Sequence, residues 1–234
     1  MPVEEHIIDR FLPDKKNFVF VGEAGSGKSE LSLNFARRLA ATTQKHVHFF
    51  DLDMTKPLFR SRDAAASLEE AGVTVHFVEQ FMDAPTLVGG VNPLLRDESA
   101  IVVMDVGGDH IGARSIGGFA PRLNRPDSAV FYVINAYRPW SDTIDHIDET
   151  LGKILGVSHI QLTQLTLVSN PNNGAESTSA QEVIDGHRKT VELVGEYIPV
   201  TFCCARKEIA DEVAGQVDVP VFPLRLELRY PWLL

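Results

Sequence analysis

Phe18-Val19-Phe20-Val21-Gly22-Glu23-Ala24-Gly25-Ser26-Gly27-Lys28-Ser29 is the stretch that decides the fold. Four apolar residues run without a break into a glycine, the pattern of a buried strand entering a turn. From Gly22 the spacing is Gly-x-x-x-x-Gly-Lys-Ser, the full pattern of a phosphate-binding (Walker A) loop. Ser29–Ala41 then reads as a helix with Leu31, Leu33, Phe35, Leu39 and Ala40 as its apolar content. The residue types follow from the chemistry. Glycines let the backbone curl round a phosphate with its N–H groups pointing inward. The start of the next helix turns its positive dipole end toward the same anion. Lys28 can reach the β- and γ-phosphates of a nucleotide, and the Ser29 hydroxyl can take one position on Mg2+. Gly22, Glu23, Ala24, Gly25, Ser26, Gly27, Lys28, Ser29 and the adjoining Glu30 are the candidate nucleotide-binding residues.

Outward from this loop, Val47–Asp51, Val73–Val78, Ile101–Met104, Ser128–Ile134, Leu165–Val168 and Ile198–Cys203 read as strands. Val219–Leu224 reads as a last edge strand, with Pro220 and Pro223 limiting its pairing. Ile7, Ile8, Phe11 and Leu12 fit one face of a short helix, and 58–71, 141–155 and 178–195 read as longer ones. The second of these is opened by Ser141 as N-cap, with Asp142 and Asp145 in its first turn. Residues 79–98, holding Pro85, Gly89, Gly90 and Pro93, read as loop with one helical turn at most. Strands alternating with helices predict an α/β protein with a mostly parallel central sheet, helices on both faces and the P-loop nucleoside triphosphatase fold. No internal repeat or Gly/Pro/Ser-rich linker divides the chain, so residues 1–234 are expected to form a single domain.

Two further strand ends bear acids. Asp51-Leu52-Asp53 closes the second strand and Asp105 the fourth, both at the carboxyl edge where parallel sheets bind ligands. Asp105, after Ile-Val-Val-Met, is the expected holder of the Mg2+ hydration shell, and Gly107 and Gly108 can offer a backbone N–H to a γ-phosphate. Val106 stands where ring-forming and RecA-like ATPases often carry a catalytic Glu, so a base must come from elsewhere. Asp53 is the candidate to orient the attacking water. The competing readings make Asp53 a turn residue and Asp105 a turn cap. The expected catalytic residues are Lys28 and Asp53, and the expected metal residues Ser29, Asp53 and Asp105. His110 and the cations Lys56, Arg60, Arg62, Arg114 and Arg122 can each face a γ-phosphate or a partner, or lie solvated. His46 and His48 alternate on one strand and read as ordinary satisfied histidines.

A formal net charge of −10, with no Lys/Arg run, argues against nucleic acid or an anionic membrane as the main partner. The adjacent Cys203 and Cys204 lack metal or redox spacing and read as buried small residues in a reduced, cytoplasmic setting. No signal peptide is read at the N-terminus, and no apolar stretch approaches the ~20 residues that span a bilayer.

In the order of its motifs the chain resembles the MinD/ParA/CobB-like, SIMIBI-class P-loop proteins over residues 17–204. The resemblance is carried by Gly22–Ser29, Phe49-Phe50-Asp51-Leu52-Asp53, Ile101–Asp105 with Val106-Gly107-Gly108, and Leu167-Val168-Ser169-Asn170. It implies ATP or ADP with Mg2+, hydrolysis tied to Asp53, a metal shell tied to Asp105 and a base hydrogen-bonded by Asn170. It also implies nucleotide-dependent homodimers and a protein partner that senses the nucleotide. Glu23 stands where the ParA/MinD loop has its signature lysine, and a carboxylate cannot reach across a dimer to a partner's phosphates as that lysine does. Glu30 stands where a Thr is frequent. Pro171-Asn172-Asn173 follows Asn170, with no Asp at the guanine-reading position, which favours adenine.

Three functions fit these residues. The leading one is a slow ATPase acting as a nucleotide-dependent switch on a partner protein. The second is a small-molecule kinase or a dethiobiotin-synthetase-like ATP-dependent ligase, with Phe81–Arg96 as a substrate loop. The third is a nucleotide-binding regulatory subunit without turnover.

Overall fold

The computed structural model describes residues 7–53, 64–77, 90–173 and 178–228. Among the described residues eight strands form one sheet: β1 (Asn17–Val21), β2 (His46–Leu52), β3 (Val73–Phe77), β4 (Ala100–Val106), β5 (Ser128–Ile134), β6 (Leu165–Ser169), β7 (Val200–Arg206) and β8 (Val221–Leu224). Their order is β3-β2-β4-β1-β5-β6-β7-β8, and every pairing is parallel. The sheet is therefore wholly parallel, where a mostly parallel one was expected. β8 is the edge strand foreseen, and Pro223 is tolerated there because its outer side needs no ladder donor.

β1 is central and buried along its whole length, which is why its sequence shows no polar alternation. Phe18 and Phe20 point to one face and Val19 and Val21 to the other. On the first face Phe35 of α1 (Lys28–Thr42) sits among the rings of Phe18, Phe20, Phe131 and Phe222, with centroids 5.2–5.5 Å away. On the second face Val19, Met104, Tyr132 and Ile134 pack with Ile147 and Ile154.

The remaining helices are α2 (Ala65–Glu70), α3 (Val91–Arg96), α4 (His110–Ala113), α5 (Ala120–Leu123), α6 (Ile144–Ser158), α7 (Ala180–Val194) and α8 (Ala210–Ala214). The structure corrects several boundaries. Ile7–Arg10 is a 3-10 turn. α6 starts three residues later than expected. Its N-cap is Thr143, whose side chain accepts from His146 N, while Ser141 ends a preceding 3-10 turn and only Asp145 is acidic in the first turn. α3 runs six residues because Pro93 falls in its first turn, where no intrahelical N–H is needed. α7 opens with a full capping box between Ser179 and Glu182. Of the helix expected over 58–71, residues 58–63 lie outside the described residues, as do residues 79–89 of the expected loop.

Candidate functional site

β1 delivers the chain at Val21 into the loop 22–29, at the carboxyl edge of the sheet and beside its centre. Gly27, at φ +83°, caps α1; a Cβ on it would lie 2.2 Å from Asn170 Nδ2, so only glycine fits. The loop is held from behind. Asn170 Nδ2 donates to Ser26 O at 2.8 Å, Arg138 Nε to Gly25 O at 3.1 Å and Asn135 Nδ2 to Gly25 O at 3.3 Å. Asn135 also donates to Asn172 O at 2.8 Å, and Asn172 Nδ2 to Asn170 O at 3.1 Å. Binding the loop carbonyls from outside favours a curl whose N–H groups face inward. The Glu23 carboxylate accepts from Ala24 N at 3.2 Å, within the loop itself.

Lys28 is buried at the start of α1. The Ser26 and Ser29 hydroxyls are buried with no hydrogen-bond partner among the described residues. Asp51 and Asp105 are register partners across β2 and β4, and both are buried, as is Asp53. Asp53 N donates to Asp51 Oδ1 at 3.0 Å, so Asp51 shapes the turn that presents Asp53. The glycine pair after β4 lies between these acids and the loop. A carbon added at Gly107 would sit 3.2 Å from Asp53 Oδ1, and one at Gly108 2.6 Å from Lys28 Nζ and 2.9 Å from Ala24 N. Asp53, Lys28 and the loop therefore converge on Gly107-Gly108, though they are far apart in sequence. Three carboxylates and a lysine buried at one sheet edge form a costly charge set, of the kind that marks ligand sites.

Mg2+ prefers oxygen donors and takes few of them from protein when phosphates supply the rest. An unengaged, buried Ser29 hydroxyl with Asp105 and Asp53 nearby in the fold fits that ion. No cluster of three or more His, Cys, Asp or Glu side chains able to hold a metal by itself occurs among the described residues.

Beside Gly27 and Ser29 opens a cavity of about 200 Å³. Asn170 and Asn172 border it after β6, Ala205 and Arg206 at the end of β7, and Leu226 beyond β8. Glu30, grouped with the loop from sequence, lines this cavity, and its carboxylate is taken up by backbone N–H groups of residues 227 and 228. Burial pushes its pKa up to about 7; those N–H donors act the other way, and Glu227 adds to the rise.

Other candidates lie elsewhere. Arg122 is locked at the opposite sheet edge, with Nε donating to Leu95 O at 2.8 Å and NH2 paired with Asp127. Asn17, the first residue of β1, also bonds Leu95 O, so the described end of the expected substrate loop, Gly90–Arg96, packs at that amino edge. His110 starts α4 behind the N-cap Asp109, and Arg114 is exposed after it. Lys56, Arg60 and Arg62 lie outside the described residues. His48 is not solitary: its Nδ1 lies 3.1 Å from Nε2 of His76 on β3, and burial lowers the pKa of both. Cys203 and Cys204 are free and buried in β7, and burial raises both thiols, Cys203 to about 12. Sequence reasoning missed Asn135 and Arg138. Their only signal was position just after a strand that flanks β1.

No protein-family model matches the chain, and no curated protein does. Solved structures do. It is similar to the chloroplast FtsY of Physcomitrella patens, at TM-score 0.48 and 15% identity over 81% of this chain and 58% of that one. It is similar to a ParA family ATPase from Chlorobium tepidum, at TM-score 0.43 and 14% identity over 87% and 90%. HypB from Helicobacter pylori, solved in complex with nickel, has TM-score 0.40 and 15% identity over 83% and 81%. The chain spans under three-fifths of the length of the FtsY structures it matches. The P-loop α/β fold rests on this chain's own parallel sheet and on the loop between β1 and α1.

Proposed function

We propose that the chain binds Mg-ATP in the loop Gly22–Ser29 and is a slow ATPase whose nucleotide state governs its docking to a partner protein. The observation that carries this reading is the convergence of Lys28, Asp53 and the loop on Gly107-Gly108, with the Ser29 hydroxyl buried and unengaged. In this reading the loop N–H groups and Lys28 hold the β- and γ-phosphates. Ser29 and the Asp105 shell hold Mg2+, which supplies neutralisation of phosphate charge. Asp53 orients a water on the γ-phosphorus. The water oxygen bonds to the γ-phosphorus as the bond from that phosphorus to the bridging oxygen breaks; the bridging oxygen leaves with ADP, and the water's protons leave on inorganic phosphate or pass to solvent. Adenine over guanine is favoured by Pro171-Asn172-Asn173 after Asn170. A homodimer and a separate protein partner belong to the same proposal, with Glu23 unable to act across the dimer. The kinase or ligase reading stands second, because a kinase lid would bear several arginines and the segment after Gly107-Gly108 has only the scattered Arg114, Arg122 and Arg125. No helix among the described residues is long and apolar enough to cross a membrane.

Calorimetry with Mg-ATP and Mg-GTP tests the core of this. Wild type should bind ATP more tightly than GTP. Lys28→Ala should lose on the order of 2–5 kcal/mol of affinity, because charge-assisted phosphate contacts go with it. Unchanged affinity in the variant would make the loop structural, and equal affinity for the two nucleotides would remove the adenine assignment.

A further inference from the structure

The chain beyond β8 runs antiparallel to α1, toward its first turn, and is clasped by it. Asn34 Nδ2 donates to Arg225 O at 2.8 Å, while Arg225 N donates to Asn34 Oδ1 at 2.8 Å. One turn earlier the Glu30 carboxylate accepts from the N–H of Glu227 and, at 3.2 Å, from that of Leu228. One turn later Arg37 NH2 lies 3.2 Å from Glu227 Oε1. Residues 30, 34 and 37 share one face of a helix by their spacing. That helix begins with Lys28 and Ser29, so the segment is fastened to the element that would carry the phosphates.

Held there, Leu226 and Leu228 line the cavity that opens beside Gly27 and Ser29. Leu224, Val183, Cys204 and Ala205 complete an apolar wall. Asn170, Asn172, Thr178 and Arg206 line the other side, so a space contiguous with the phosphate loop has one aliphatic wall, which suits the face of a flat, weakly polar base, and one polar wall, which suits the base's edge.

Resting on the reading that the loop binds a nucleoside triphosphate, we infer that Arg225–Leu228 is a strap forming the outer wall of the base subsite. Asn34 and Glu30 are its positioning residues. Leu226 and Leu228 recognise the base by burying its face, so the strap adds affinity for the nucleoside and none for the triphosphate.

The test compares Mg-ATP with magnesium tripolyphosphate by calorimetry on wild type, Asn34→Ala and Leu226→Ser. Loss of apolar contact with the base should weaken ATP about tenfold in both variants. Tripolyphosphate affinity should be unchanged, and Leu226→Met, which keeps the apolar volume, should restore ATP binding. A variant that merely misfolded would lose tripolyphosphate as well, and Met at that position would then distinguish the two causes. Hydrogen exchange supplies a second readout: the Glu227 and Leu228 amides should gain protection from ATP and none from tripolyphosphate. Equal ATP affinity in wild type and both variants overturns the strap. Tighter ATP binding in the variants also overturns it, showing a plug in place of a wall. Equal affinity of wild type for ATP and tripolyphosphate leaves the phosphate site standing and removes the base subsite. Binding of neither removes the nucleotide reading, and the strap falls with it.

Discussion

At the scale of single residues, Asp53 and Gly108 carry the most specific expectations. Asp53 reaches the site because Asp51 fixes its turn, and its carboxylate lies against Gly107 while the loop lies against Gly108. Phosphoryl transfer depends mainly on positioning and charge stabilisation. Asp53→Ala should therefore leave Mg-ATP affinity within a few fold and abolish turnover, as measured in single-turnover kinetics. Hydrolysis at the wild-type rate would return Asp53 to a turn role. Gly108→Ala places a methyl 2.9 Å from the Ala24 backbone and 2.6 Å from Lys28 Nζ. The lysine tip can shift but the loop backbone cannot, so ATP affinity should fall by about 1–3 kcal/mol, the size of an overpacking strain. Calorimetry beside a thermal melt checks this: normal binding would show that the loop and the glycine pair are not in register. Asp53 and the glycines were legible in sequence because each follows an apolar strand. Asn135 and Arg138 were not, since their partner Gly25 is more than a hundred residues away and nothing local marks the contact.

Among the elements, what was legible depended on length and on a single dominant face. β5 emerged with both ends right, because Ser128–Ile134 is one buried run bounded by polar residues. α4, α5 and α8 are four or five residues long and carry too few turns for a period to register. The start of α6 was misplaced for a chemical reason: Ser141, Asp142 and Thr143 are all plausible caps, and only backbone conformation selects Thr143, at φ −134° and ψ 159°. Thr143→Ala should destabilise by about 1 kcal/mol through loss of the bond from His146 N. Ser179→Ala, which breaks both halves of a capping box, should cost about 1–2 kcal/mol. Urea unfolding of the two variants tests both values, and no change in the midpoint for Thr143→Ala would move the cap back toward Ser141.

For the molecule as a whole, stability should carry a signature of Glu30. Its folded pKa is raised from the ordinary 4.5 to about 7 by burial against residues 227 and 228, with the Glu227 charge adding to the rise and the two N–H donors opposing it. A raised folded pKa gives stability that is full below the unfolded value and is lost as pH climbs through the folded one. The loss therefore runs from about 4.5 to about 7 and is complete above that. Burial lowers the pKa of His187, which acts in the opposite sense, its contribution being lost as pH falls below 6.5. Comparison with Glu30→Gln isolates the first effect. The variant should match wild type below the carboxylate range and exceed it in alkaline solution by about 1–3 kcal/mol, read from thermal or urea unfolding across pH. A constant difference across pH would show that the carboxyl titrates normally. The fastening of the phosphate loop from behind also sets an order in time. A ribosome makes residues 22–29 first, the groups that hold the loop carbonyls, at 135, 138 and 170, come more than a hundred residues later, and the clasp on α1 arrives with 225–228. Domains generally fold as units as they emerge during synthesis. The nascent chain therefore displays its Walker A motif long before the groups that hold the loop exist, and the candidate site is complete only when residues 225–228 have also left the exit tunnel.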